Sequence, residues 1–363
     1  LAATLTGDAS LCSRPMRRVP GPLAEMGASF EELGAQDRLP VRIRGGGLRA
    51  LDYDSPHASA QVKSAILLAG LCGAVTVSVR EPLLSRDHTE RMLLQLGVPL
   101  ERATDAEGRA SVRLSPVHQL APLDFDVPGD FSSAAFALAM ACLGRVAILV
   151  RNVGINPTRT GFLDVLRRMG ADVQLMNVRE ACGEPVADLH AAPSSLRAVR
   201  IDGAEVPSLV DEIPVIAALA ARAEGTTVIE GAAELRVKES DRIAAMVRNL
   251  RAVGALAEEL PDGMVIHGSD APLAGEVAAL HDHRIAMAFG VLAAGGAEIR
   301  VDDLPPRIRD AGGASLRIAD ASRRNLPLRD LERAYILEVL RQTGGLNFSG
   351  IVPPLAVTIS FQL

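Results

Sequence analysis

With 363 residues, 48% of them hydrophobic, the chain is long enough for two domains and can bury a core without metals or disulfides. A formal charge of -6 and the lack of a contiguous basic tract exclude a protein whose work is to cover nucleic-acid phosphates, and no apolar run reaches the ~18 residues of a membrane span. Cys12, Cys72, Cys142 and Cys182 form no C-x-x-C pair and have no histidines at ligand spacing, which reads as a reduced, metal-free, cytoplasmic protein.

In chain order, the start Leu1-Ala2-Ala3-Thr4 has neither a basic leader nor an initiator Met, so the chain is expected to begin inside a longer gene product. Four segments then repeat one pattern, an apolar helical stretch that stops at Gly and turns into an alternating strand. Their glycines are Gly27, Gly97, Gly170 and Gly254, at intervals of 70, 73 and 84 residues. That spacing is too long for a solenoid and suits a βαβ-type unit used several times. Between them, strands are expected at 75–79, 146–150 and 226–229, and helices at 62–71, 133–143 and 241–253. In the last, Ile243, Met246, Val247, Leu250 and Val253 form one buried face, with Arg248 and Arg251 opposite. A strand at 123–127 ends at Pro128-Gly129-Asp130, the expected crossing between two domains. After about 301 the repeat breaks. Leu328, Leu331, Tyr335, Val339 and Leu340 predict one amphipathic helix, and 351–363 is an apolar stretch with no evident partner.

Polar residues gather where helices begin, and unpaired N–H groups and the positive end of the dipole favour anions there. Ser59 caps a helix and presents its hydroxyl with Ala60 and the Gln61 amide; Arg86 stands just ahead of another. In Arg236-Val237-Lys238-Glu239-Ser240-Asp241-Arg242, Lys238 and Arg242 stand four apart and are expected to share one helix face, with Glu239 beside them. Lys238 and Lys63 are the two lysines among 38 basic residues, so each invites a specific role. His281-Asp282-His283-Arg284 raises a metal site, but no further Cys or acidic ligand set lies nearby, and Arg284 at a helix start fits a carboxylate or phosphate clamp better. Arg14, in Arg14-Pro15-Met16, is a fifth anion contact.

Arg14-Pro15-Met16, Ser59-Ala60-Gln61, Ser85-Arg86-Asp87-His88-Thr89-Glu90, Pro128-Gly129-Asp130-Phe131-Ser132-Ser133-Ala134, Asn156-Pro157-Thr158-Arg159-Thr160-Gly161, Asp211-Glu212-Ile213-Pro214, the 236–242 segment and Asp282-His283-Arg284 occur in an order and spacing that resemble the 5-enolpyruvylshikimate-3-phosphate (EPSP) synthase family over about residues 1–302. The Ser-Ala-Gln and Arg-Asp-His-Thr-Glu variants resemble the subgroup with glyphosate-tolerant bacterial enzymes. The resemblance implies an α/β fold of two domains built from βαβαββ units, an inside-out α/β barrel. On this reading residues 1–127 are an incomplete N-terminal domain, 128–303 the C-terminal domain, and 304–363 a tail from outside the family. Shikimate-3-phosphate would be held by Ser59, Ala60, Arg86, Asp211 and Lys238, and phosphoenolpyruvate by Arg14, Gln61, Arg242 and Arg284. Asp211 and Glu239 would transfer protons, with Lys238 near the reacting hydroxyl and His283 supporting the clamp. Glyphosate joins the ligands so implied; no metal or organic cofactor does.

The resemblance also sets expectations for what the chain lacks. The family's opening Lys-Ser and Asn-x-Gly-Thr turn would precede Leu1, and its C-terminal Lys is replaced here by Leu304-Pro305-Pro306-Arg307. Each lost charge-assisted contact costs about 1.5–3 kcal/mol, so weak binding and little turnover are expected of the chain without that segment. Residues 316–345 are similar to the segment before the DNA-binding helices of bacterial enhancer-binding regulators. A regulator, a degenerate anion-binding remnant and a UDP-sugar enolpyruvyl transferase are the rival readings. The 85–90 and 236–242 motifs follow the shikimate branch.

Overall fold

The structure, a computed structural model, describes residues 2–122, 124, 126–280, 282–296, 298–299 and 357–360. The first stretch holds β1 (Ala2–Leu5), α1 (Ala9–Cys12), α2 (Pro20–Glu25), β2 (Ser29–Glu32) and β3 (Val41–Arg44) in an antiparallel sheet of order β1-β3-β2. The second runs β4 (Leu51–Asp54), α3 (Ala60–Gly73), β5 (Val77–Glu81), α4 (His88–Gln95), β6 (Leu100–Thr104) and β7 (Ala110–Leu114). Its sheet order is β4-β5-β7-β6, with β4 and β5 parallel and the other pairs antiparallel.

The third stretch holds α5 (Phe131–Leu143), β8 (Ile148–Gly154), α6 (Gly161–Arg168), β9 (Asp172–Ala181) and β10 (Glu184–Ala192). The fourth runs β11 (Arg200–Ile201), α7 (Ile213–Ala220), β12 (Thr226–Ile229), α8 (Arg242–Ala252), β13 (Leu256–Leu260) and β14 (Gly263–His267), in the order β11-β12-β14-β13. That is the topology of the second stretch repeated, including its parallel first pair. The fifth holds β15 (Ala274–Gly275), α9 (His283–Ala294) and β16 (Glu298–Ile299).

The repeat visible in the sequence has a local cause. Gly27, Gly97, Gly170 and Gly254 all take positive φ, between 78° and 108°, a backbone region a side chain would strain. Each makes the same pair of bonds: its own N–H to the carbonyl three residues back, and the next N–H to the carbonyl five back, as in Gly97 to Leu94 and Val98 to Leu93. The left-handed residue closes the helix and aims the chain back into a strand. Helix starts are also written locally. The side chains of Ser59, Asp130, Asp241 and Asp282 accept N–H groups of α3, α5, α8 and α9.

Two clusters of buried apolar side chains hold these elements. One draws on residues from Met26 to Leu114 and packs α3 against its sheet; the other draws on residues from Phe131 to Leu292. Ile243, Met246, Val247 and Leu250 of α8 and Val253 at its C-terminal cap are all buried and Arg248 and Arg251 exposed, as the periodicity predicts.

Three expectations need correction. No strand forms at the described positions 124, 126 and 127; the chain there makes only a bridge from Gly129 to Val153. Pro122 and Pro128 bracket the segment and remove donors a ladder needs. Lys238 and Arg242 do not share a helix. A 3-10 turn at Val206–Ser208 has a counterpart at Ala233–Val237, and Lys238 ends the latter, while Asp241, outside helical geometry, caps α8 so that Arg242 is its first residue. Finally, part of the apolar end finds a partner: β17 (Val357–Ser360) lies parallel to β8, completing the order β17-β8-β10-β9 where β4 and β11 stand in their sheets. A β-branched run beside an open edge strand explains the pairing. The amphipathic helix expected at 328–340 lies outside the described residues.

Candidate active site

Four segments that carry helix starts converge. Arg86 precedes α4, Asp211 precedes α7, Arg242 opens α8 and Arg284 is the second residue of α9. Arg86 Nη2 lies 2.7 Å from Asp211 Oδ2, and Arg284 Nη1 donates to the Asp211 backbone carbonyl at 3.2 Å. Arg242, only 1% exposed, puts Nε 2.8 Å from Asp282 Oδ2, Nη2 at 2.5 Å from Glu239 Oε2, and Nη1 at 3.7 Å from Asp211 Oδ1. Arg14 Nη2 reaches the other Glu239 oxygen at 3.1 Å. Arg14 Nε and Arg242 Nη1 are buried donors with no hydrogen-bond acceptor among the described residues. Buried donors are rarely left unmatched, and these two guanidinium N–H groups, on the arginines that share Glu239, are free to donate to an anion.

The electrostatics of the cluster are one-sided. Burial would raise the Asp211 carboxyl, but Arg284, Arg86 and Lys238 hold it far below its ordinary value. Burial likewise opposes ionisation of Glu239, and Arg242, a backbone N–H and Arg14 outweigh it. Asp282, wholly buried, is held down in the same way against burial by Arg242, Ser240 and the Arg284 N–H. His283 is lowered by burial and by Arg284, so its ring is neutral at pH 7.

These directions give the cluster a signed pH dependence. A carboxyl depressed in the folded state contributes stability that is whole above its unfolded value and is lost as the pH falls through the folded value. The ordinary value is 3.8 for Asp211, so the melting temperature is expected to fall steeply below about pH 4, and Asp211→Asn to flatten that fall. Calorimetry from about pH 6 to 2 checks it; equal slopes for both chains would show that Asp211 titrates alike folded and unfolded.

Not every predicted residue joins the cluster. Lys238 adds its charge to Asp211 but pairs with Glu234. Gln61 accepts from Arg18 Nη2 at 2.8 Å, and Ser59, beside Ala60, gives its N–H to Glu81 at 2.9 Å. These three open α3, and none bonds directly to the arginine cluster in the contacts described. Among the described residues no group of His, Cys, Asp and Glu could hold a metal ion. Two cavities of about 340 Å³ each open elsewhere, one beside Lys63, Glu81 and Glu90, the other beside Met16 and Asp37.

Sequence reasoning missed several partners. Asp282 is the N-cap of α9 and the buried counter-ion of Arg242; an Asp just ahead of an apolar helix was its signal. Behind Arg86, buried Asn156 donates to Asp87 at 2.7 Å and to Glu184 at 3.0 Å, and His88 meets Glu184 at 2.8 Å. Beside Asp211, Glu212 is 1% exposed, raised by burial, and bonded by Ser132, which Arg159 also holds at 2.9 Å. The Asn-Pro-Thr-Arg and Ser-Ser motifs were visible, but nothing local says whom they meet.

Residues 1–305 match the family described as EPSP synthase (3-phosphoshikimate 1-carboxyvinyltransferase). The chain is 51% identical over 306 residues to the 3-phosphoshikimate 1-carboxyvinyltransferase of Desulfitobacterium hafniense, covering 82% of this chain and 68% of that protein. It is 52% identical over 302 residues to the protein of the same description from Geobacter sulfurreducens, with 82% and 69% covered. Among solved structures it is similar to an EPSP synthase from Acinetobacter baumannii, with a TM-score of 0.69 at 43% identity over 82% of this chain and 68% of that one. The enolpyruvyl transferase NikO of Streptomyces tendae shares the fold, with a TM-score of 0.61 at 20% identity over 82% and 67%.

Proposed function

We propose that this chain, which belongs to the EPSP synthase family, is a 3-phosphoshikimate 1-carboxyvinyltransferase, moving enolpyruvyl from phosphoenolpyruvate to the 5-hydroxyl of shikimate-3-phosphate. The observation that carries the site is the convergence of Arg14, Arg86, Arg242 and Arg284 on Asp211 and Glu239, with two buried guanidinium donors unmatched. Both substrates are polyanions, and guanidinium forks match phosphate and carboxylate. We assign Arg86, Lys238, Asp211, Ser59 and Ala60 to shikimate-3-phosphate, and Arg14, Arg242, Arg284 and Gln61 to phosphoenolpyruvate. Residues 1–127 and 128–303 are proposed as the two domains, supported by the two separate apolar clusters. The cytoplasm is the proposed compartment, supported by four unpaired cysteines.

The reaction needs a base at the hydroxyl and an acid at the methylene carbon. The hydroxyl oxygen bonds to the central carbon of phosphoenolpyruvate, its proton passes to a base, and the methylene carbon gains a proton. The methyl so formed then loses a proton, the carbon–oxygen bond to phosphate breaks, and the double bond returns. Asp211 and Glu239 are the proposed carriers. In the cluster both are held ionised, so both begin as acceptors. The arginines that depress them are the ones a substrate anion would recruit. Each phosphate or carboxylate that engages Arg86, Arg284 or Arg14 offsets that positive field and lets the adjacent carboxyl take up a proton. Lys238, whose charge acts on Asp211 while its ammonium pairs with Glu234, is the proposed stabiliser of the hydroxyl as it loses its proton.

Phosphate release by the full chain, with each substrate alone and with both, is the test. Any release, expected to be slow, is expected only with both, and Lys238→Ala is expected to reduce it by about a hundredfold or more. Shikimate-3-phosphate binding without release would leave an anion-binding remnant of the family, and release with a UDP-sugar in place of shikimate-3-phosphate would move the chain to the other enolpyruvyl transferase branch.

A further inference from the structure

The second lysine is as buried as the apolar core. Lys63, in the first turn of α3, is 2% exposed, with Nζ 3.0 Å from Glu81 Oε2 and 2.7 Å from Glu90 Oε1, and it donates to the Ser85 carbonyl at 3.3 Å. Glu81 and Glu90 are 3% and 2% exposed. Desolvating three charges takes up most of what their attraction returns, so stability alone is a poor account of the triad.

The bonds of Glu81 give a better one. Its Oε1 accepts the Ser59 N–H at 2.9 Å and the Ser85 hydroxyl at 2.7 Å, and Oε2 lies 2.8 Å from the same hydroxyl. Ser59 opens α3, and Ser85 is the residue before Arg86. One carboxylate therefore binds two segments far apart in sequence, and Lys63 is the counter-ion that lets it lie buried between them. A neutral amide could not do the same, because its NH₂ group would face either the Ser59 N–H or the Lys63 ammonium.

We propose that Glu81, with Lys63 as its buried counter-ion, is a positioning residue that locks the Ser59 end of α3 and the Ser85-Arg86 corner to each other, so that they present one preset face to an anion. The inference rests on the reading that Ser59 and Arg86 hold shikimate-3-phosphate, and it goes beyond that reading by naming what sets them in register. Neither Glu81 nor Lys63 touches the substrate on this account.

Two variants of the full chain test it: Glu81→Gln, and Lys63→Met with Glu81→Met and Glu90→Gln, which removes all three buried charges and both Glu81 acceptors at nearly constant volume and is expected to fold. Two quantities are read, hydrogen exchange at the amides of Ser59 and Ser85, and shikimate-3-phosphate affinity. In both variants these amides are expected to exchange at least about tenfold faster, while core strand amides such as that of Val112 do not change. Affinity is expected to fall about tenfold, and by less when Arg86→Ala is already present, because the clasp acts through Arg86. Unchanged exchange at Ser59 and Ser85 in a folded variant overturns the proposal, and so does lost affinity without it. If the triple variant does not fold, the Glu81→Gln chain decides by the same comparison. If the wild-type chain binds no shikimate-3-phosphate, the proposed function falls, and the exchange rates still decide whether Glu81 orders the two segments.

Discussion

Arg242→Met is expected to destabilise the fold by about 3–5 kcal/mol, the range found when one partner of a buried ion pair is removed. Arg242 is the largest fully buried side chain among the described residues, and it faces Asp282 at 0% exposure, Glu239 and Asp211. Methionine fills most of the volume but leaves three carboxylates without their shared cation. Asp282 keeps the Ser240 hydroxyl and the Arg284 N–H, and Glu239 keeps Arg14, so the loss stays within that range rather than exceeding it. Arg242→Lys is expected to recover little, because a point charge cannot reach Asp282 and Glu239 from the positions of Nε and Nη2 together. Urea unfolding of the three chains measures both effects. A loss below about 1 kcal/mol for the Met variant would mean that the carboxylates escape to water when the guanidinium goes.

Asp211→Asn is expected to lower the rate of phosphate release by about 10²–10⁴-fold, the contribution of a positioned general base, with a smaller change in KM. Asparagine keeps the shape and one acceptor for Arg86, so the cluster is expected to remain assembled. What it loses is the proton acceptor and the negative charge that Arg86, Arg284 and Lys238 surround. Steady-state kinetics with both substrates separates the two. Turnover within tenfold of wild type would remove Asp211 from proton transfer and leave it a structural counter-ion; a rise in KM with kcat unchanged would make it a binding residue alone.

Much of the architecture was legible because its causes are local. The returns at Gly27, Gly97, Gly170 and Gly254 need only a residue that tolerates positive φ after an apolar helix, and all four have it. The buried face of α8 follows from its 3.6-residue period, and the cap at Ser59 from a side chain that accepts a nearby N–H group. Where two local signals competed, the sequence was ambiguous. Lys238 and Arg242 at helical spacing suggested one face, but Asp241 between them is a stronger cap than the pair is a ladder, and the helix starts there. At the described positions 124, 126 and 127 the expected strand does not form, and two flanking prolines remove donors it would need.

The sequence by itself determined the repeated unit, the helix ends and the list of charged groups at them, since each depends on backbone preferences that act over a few residues. Only the tertiary structure decided which charge meets which. Arg86 has acidic residues nearby in sequence, yet its partner is Asp211, 125 positions away; Arg14 finds Glu239 and Arg242 finds Asp282. Lys63 stood out in sequence only by its rarity, and Glu81 gave no sign of joining Ser59 to Ser85. The physical reason is that Coulomb attraction does not discriminate among carboxylates of the same charge. The path of the chain chooses the pair, and burial, which raises the strength of that pair and the penalty of leaving it unmade, exists only once the chain has folded.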